Sequence, residues 1–68
     1  MTVTLNGRAT QLAGGVTVAD LVARQVGDAR RPGVAVALNG RVLPRHDWPD
    51  TRLSDGDAVE VLTASQGG

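Results

Sequence analysis

Few residues in this chain are equipped for covalent or acid–base chemistry. His46 is the sole histidine, and there is no Cys, Tyr or Lys. A nucleophile–base pair would need His46 beside Ser54 or Ser65, and nothing in the spacing supports that. His46 reads as a surface turn residue. Without Cys there is no disulfide framework, Cys-based zinc site, iron–sulfur cluster or redox thiol. Asp55, Asp57 and Glu60 resemble a calcium loop only superficially. Such a loop spreads its ligands over twelve residues with Gly at the sixth, and this segment lacks that pattern. Gly14-Gly15 is not a phosphate loop, because no Gly-Lys-Ser/Thr follows. Trp48 is the one aromatic residue, too few for a base-stacking platform, and reads as packing at the core's edge. The inventory predicts a non-enzyme that binds no metal and no cofactor of its own.

The C-terminus is the exception. Ser65, Gln66, Gly67 and Gly68 form a small, polar run, and by composition alone a terminal Gly-Gly arises in roughly two chains in a hundred at 9 Gly in 68 residues. Four extended residues reach about 13–14 Å. Lacking Cβ atoms, Gly67 and Gly68 suit a narrow channel that presents a carboxylate to a partner's site. A terminal carboxylate has a pKa of about 3.3–3.7, so at neutral pH it is ionised and a poor acyl electrophile. Joining it to AMP supplies a leaving group, which a partner's sulfur nucleophile can displace to give a thiocarboxylate. The carrier then needs no catalytic side chain. The absence of Lys, most simply an effect of Arg-favouring codon usage, also leaves no side-chain amine to acylate by mistake.

Such an arm needs a small folded handle, and the rest of the chain supplies one. Thr2-Val3-Thr4-Leu5-Asn6-Gly7-Arg8 matches Ala35-Val36-Ala37-Leu38-Asn39-Gly40-Arg41 in its Val, Leu, Asn, Gly and Arg. Each copy alternates with period two and ends in Asn-Gly, the pair that tolerates the positive φ of a type I′ hairpin. Hairpins are predicted for Thr2–Asn6 with Arg8–Leu12 and for Val34–Leu38 with Arg41–Leu43. Two copies fall below the three a solenoid needs, so the repeat reads as hairpin chemistry arising twice. Between them, Thr17 and Asp20 have capping-box spacing, with Thr17 as N-cap. Val18, Leu21, Val22 and Val26 line one helical face, and Gly27 is placed to end the helix. Pro44 and Pro49 argue against a strand or a long helix around Arg45–Trp48. Leu53–Asp57 reads as a turn. A last strand follows over Ala58–Thr63, with Val59 and Val61 on one face and Glu60 and Leu62 on the other.

This order predicts an α+β fold: one main helix packed across a mixed sheet of four or five strands. It is the order of the β-grasp, or ubiquitin-like, fold. Residues 1–63 read as a single domain and 64–68 as a flexible tail. Leu62, alternating away from Val59 and Val61, is the candidate partner contact. Arg41, Arg52, Asp55, Asp57 and Glu60 are candidates for a polar rim around it, with ordinary solvated charge the commoner role for each.

Composition bounds the setting. The 68 residues are 41% hydrophobic and 21% charged, a globular balance, with seven acids against seven arginines. No net field recommends nucleic acid or an anionic membrane as partner. The longest apolar run, Val34–Leu38, is far short of the ~20 residues of a membrane span. The N-terminus carries no basic-then-apolar signal, and Thr2 excludes myristoylation. A cytoplasmic protein is expected.

With these residues assembled, the sequence resembles the ThiS family of sulfur carriers for thiamine thiazole biosynthesis. The resemblance is carried by Val36-Ala37-Leu38-Asn39-Gly40, Pro44-Arg45, Trp48, Leu53-Ser54-Asp55-Gly56-Asp57, Val59-Glu60-Val61 and Gln66-Gly67-Gly68. The N-terminal half is similar mainly in layout. The resemblance implies that an E1-like enzyme, which binds the ATP, adenylates Gly68. A sulfurtransferase or cysteine desulfurase then supplies sulfur, and thiazole synthase receives it. Gly68 becomes the glycyl adenylate and then 1-thioglycine; Gly67, Gln66 and Ser65 form the channel spacer. Two related carriers share this tail chemistry: the small subunit of molybdopterin synthase, and a ubiquitin-like protein modifier that ends in an isopeptide bond. A β-grasp binding module is the fourth reading, and it would want basic or aromatic surface that this chain lacks.

Overall fold

A computed structural model describes residues 1–28 and 30–64. In chain order the elements are β1 (Thr2–Leu5), β2 (Arg8–Gln11), α1 (Val18–Val26), β3 (Val34–Leu38), β4 (Arg41–Val42), a 3-10 helix (Arg45–Asp50) and β5 (Ala58–Thr63). The two Asn-Gly pairs turn the hairpins as expected. Asn6 and Gly7 have φ of 49° and 83°, and Asn39 and Gly40 have 50° and 82°. Both central residues of a type I′ turn require positive φ, which these two residue types tolerate best. The turns fix the registers: Leu5 faces Arg8, and Leu38 faces Arg41.

The five strands form one mixed sheet in the order β2-β1-β5-β3-β4. The last strand in sequence is therefore the central one. It runs parallel to β1 and antiparallel to β3. Period-two alternation sends Val3, Leu5, Val36, Val59 and Val61 to one face, where they meet Val18, Leu21 and Val22 of α1 in a shared core. Thr4, Ala35, Ala58, Glu60 and Leu62 are exposed on the other face.

The helix begins and ends as its sequence dictates. Asp20 N–H donates to the Thr17 hydroxyl at 3.1 Å, and Thr17 N–H donates to the Asp20 carboxylate at 3.0 Å. These two bonds, backbone first, hold the Asp20 carboxyl below its ordinary range, with Arg24 adding attraction. Gly27 closes the helix at φ 87°, donating to the Ala23 carbonyl at 2.8 Å. A Cβ at Gly27 would meet nothing within 4 Å, so only backbone strain opposes a larger residue there. Gly27→Val should therefore destabilise the domain by about 1–2 kcal/mol, the cost of left-handed backbone for a residue with a side chain. An unchanged melting temperature would show that the helix can end without that conformation.

The stretch after Leu43 is more ordered than its prolines suggest. Pro44 and Pro49 bar a strand or a long helix, yet they permit short i→i+3 turns. Asp47 N–H donates to the Pro44 carbonyl, and Thr51 N–H to the Trp48 carbonyl. The Thr51 hydroxyl donates to the Asp47 carbonyl at 2.7 Å, so this carbonyl too has a partner. The resulting 3-10 helix packs against α1 and carries Trp48 fully into the core at 2% exposure. Trp48 is thus a central core residue, rather than a cover at the core's edge. In a domain with no Phe, Tyr or Ile, no other side chain brings comparable bulk.

Candidate functional site

The reactive arm read from the sequence, Ser65, Gln66, Gly67 and Gly68, lies outside the described residues. What the structure defines is the base from which it departs. β5 is hydrogen-bonded on both sides, and its pairing with β3 runs from Leu38–Val59 to Val34–Thr63. One residue further, Ala64 N–H donates to the Gly33 carbonyl at 2.7 Å. The β1 side of the ladder reaches only to Val61, through Asn6, so beyond it the chain leaves the sheet along β3 alone.

Both asparagines of the repeated phrase grip this strand. β1 turns away after Leu5, and the Asn6 side chain takes over the ladder. Val61 N–H donates to Asn6 Oδ1 at 2.8 Å, while Asn6 Nδ2 donates to the Val61 carbonyl at 3.2 Å. A carboxamide presents one acceptor and two donors, and so imitates a peptide unit. At the strand's start, Ala58 N–H donates to Asn39 Oδ1 at 2.8 Å, and Asn39 Nδ2 reaches Asp57 at 3.1 Å. The repeat thus does more than turn two hairpins. It extends the ladder on each side of β5, a role that sequence alone could not reveal because it depends on β5 lying between the two copies.

The sheet face opposite the helix is open. Leu62 is 59% exposed there, and its cross-strand partner is Ala35. The I′ register places Val42 opposite Ala37, on the same face, and Val42 is 80% exposed. Leu62, Ala35, Ala37 and Val42 make a smooth apolar strip with Glu60 beside it. Val42 was missed in the sequence reading, although pairing the second hairpin through its two-residue turn locates it.

The candidate rim does not assemble around this strip. Asp55 accepts from Thr2 N–H at 2.7 Å, and Asp57 accepts from Ser54 N–H at 2.8 Å, so both carboxylates close the turn before β5. Arg52 bridges to Thr17 at the start of α1, on the covered side of the sheet. Arg41 pairs with Leu38, which packs on the core side, so of the five rim candidates Glu60 alone shares the open face with Leu62. His46 is exposed on the 3-10 helix, 3.4 Å from Asp47. Among the described residues no three His, Cys, Asp or Glu side chains gather to hold a metal, and no cavity is present. No helix there is long and apolar enough to cross a membrane. What the arrangement offers is an exposed apolar strip and a central strand that leads to Ala64.

The sequence model of the ThiS family matches residues 3–68, through the final glycine. The chain belongs to the ThiS family. The sulfur carrier protein ThiS of Escherichia coli K12 is 34% identical over 68 residues, with both chains covered completely. The crystal structure of a ThiS-family thiamine biosynthesis protein from Geobacter metallireducens superposes with a TM-score of 0.77 at 37% identity, again over the whole of each chain. A solution structure from the same organism gives a TM-score of 0.77 at 39% identity, covering all of this chain and 88% of the other. The mixed five-stranded sheet with one helix is the β-grasp arrangement that these ThiS structures share.

Proposed function

We propose that this ThiS-family sulfur carrier of thiamine biosynthesis bears its sulfur on Gly68, as a terminal thiocarboxylate. The observation that carries the reading is the family match running to Gly68 itself, on a domain whose last strand is the central one of its sheet. The chemistry belongs to partners. An E1-like enzyme binds ATP and joins AMP to the Gly68 carboxylate, releasing pyrophosphate. The outer sulfur of a persulfide on a sulfurtransferase or cysteine desulfurase system then attacks the carbonyl carbon and displaces AMP. A second thiol cleaves the resulting acyl disulfide, leaving a disulfide on the donor system and freeing the thiocarboxylate, whose sulfur thiazole synthase takes up. The chain contributes no catalytic side chain and holds no cofactor. Gly67, Gln66 and Ser65 act as the slim spacer through the partner's channel. The cytoplasm, where ATP is available, is the setting of this cycle.

Docking in this scheme uses the open sheet face, centred on Leu62. An exposed leucine in a strip of alanines, flanked by Val42, is the part of the surface best suited to an apolar contact. Intact-mass spectrometry of the protein from its own cells tests the reading. A species heavier by one sulfur-for-oxygen exchange, localised to Gly68, is expected. A wholly unmodified chain that also forms no adenylate with ATP and host extract would overturn it. For the docking face, Leu62→Asp should raise the KM for tail activation about tenfold while leaving the melting temperature unchanged. An unaltered KM would move the contact elsewhere.

A further inference from the structure

Arg45 ties the base of the arm to the core. Its guanidinium carbon lies 4.5 Å from the centroid of the buried Trp48 ring. The ring itself is fixed by Nε1–H donating to the Leu43 carbonyl at 3.0 Å. From this platform Arg45 Nη2 donates to the Arg31 carbonyl at 2.7 Å, with the Val34 carbonyl at 3.4 Å. Between those two carbonyls sits the Gly33 carbonyl, which accepts from Ala64 N–H at 2.7 Å.

The segment gripped in this way joins a turn, in which Arg31 N–H donates to the Asp28 carbonyl at 3.1 Å, to the start of β3 at Val34. Arg31, Pro32 and Gly33 belong to no strand and are exposed. Pro32 has no N–H to donate and Gly33 sits at φ 77°, so the Arg45 bonds supplement the Arg31–Asp28 turn bond in holding this loop. Beyond the Val34–Thr63 pair, the Gly33 carbonyl is what fixes the peptide from which the arm departs.

We propose that Arg45 is a positioning residue for the reactive arm, holding Arg31–Val34 so that Ala64 leaves the sheet in one direction. The role rests on the carrier reading above. A four-residue arm of about 13 Å has little slack, so a displaced pivot carries its terminus away from the reacting geometry. Arginine is suited to the task because its planar fork can stack on an indole while donating to carbonyls. A lysine ammonium has no planar face to stack on the indole.

The test compares Arg45→Ala and Arg45→Lys with the full wild-type chain. Thr17→Ala serves as a control that lowers stability through the helix cap alone. In both Arg45 variants the Ala64 amide should exchange at least about tenfold faster, with the Val59 and Val61 amides unchanged. Steady-state tail activation by the E1-like enzyme should lose about tenfold in kcat, with the KM for the carrier within about twofold. Thr17→Ala should leave kcat and Ala64 exchange as in the wild type. Unchanged Ala64 exchange in Arg45→Ala, or faster exchange with full kcat, would overturn the proposal. So would an equal loss of kcat in Thr17→Ala, which would mark a general stability effect. A raised KM at constant kcat would assign Arg45 to partner contact instead, and overturn it too. A wild-type chain that the enzyme and ATP leave unmodified would defeat the carrier reading itself, separately from any Arg45 result.

Discussion

Deleting Gly68, or replacing it with Val, is expected to abolish thiocarboxylate formation while the domain melts at the wild-type temperature. Both halves of this outcome have a physical basis. Among the described residues the buried members of the core run from Val3 to Val61, and the last strand ends at Thr63. Loss of one terminal residue beyond that point is expected to leave this core intact. The chemistry, in contrast, has no second site. Removing Gly68 draws the reacting carboxylate back by one residue, about 3.5 Å, which is several times the misplacement that already costs a hundredfold in rate. Replacing it with Val keeps the reach but adds a branched Cβ where a glycine-width channel is required. The measurement is single-turnover adenylation with intact-mass detection, beside thermal melting of each variant. Normal adenylation of the deleted chain would refute the assignment of Gly68. A lowered melting temperature would show instead that the terminus packs on the domain.

Trp48→Ala should have the largest effect on the fold. Truncating a fully buried tryptophan costs about 3–5 kcal/mol, from lost transfer energy and the cavity left behind. A domain below about 70–80 residues rarely derives more than about 3–5 kcal/mol from a single core. The two figures are comparable, so the variant should be largely unfolded at 25 °C. It loses the Nε1–H bond to Leu43 and the platform under Arg45 at the same time. Trp48→Phe retains much of the bulk and should remain folded with reduced stability. Circular dichroism and urea titration separate these cases. A cooperative Trp48→Ala transition close to the wild-type midpoint would mean that the 3-10 helix contributes little to the core.

The elements of this fold were legible because each follows from local chemistry. The Asn-Gly pairs at 6–7 and 39–40 demand positive φ, Thr17 and Asp20 cap each other, and Gly27 alone suits the helix end. These are interactions between near neighbours in sequence, so residue types and spacing suffice. Strand ends agreed to within a residue: β1 stops at Leu5 rather than Asn6, β2 at Gln11 rather than Leu12, and β4 at Val42 rather than Leu43. The 3-10 helix was hidden because its two prolines are compatible with several short turns, and only packing against α1 selects one. Trp48 was recognised as a packing residue, but its depth depends on that selection.

The features that matter for the arm divide in the same way. The sequence by itself determined the β-grasp order of elements, the absence of Cys, Tyr and Lys, and the Gly67-Gly68 run. It also placed Leu62 on the face away from Val59 and Val61, since strand alternation is a local rule. Only the tertiary structure decided that β5 is central, that Asn6 and Asn39 grip it from either side, and that Val42 joins Leu62 on the open face. The same holds for the path from Trp48 through Arg45 and Gly33 to Ala64. Each of these joins residues far apart in the chain, 55 positions in the case of Asn6 and Val61. Such partners are fixed by which strands share the core's buried face, a condition on the whole chain at once.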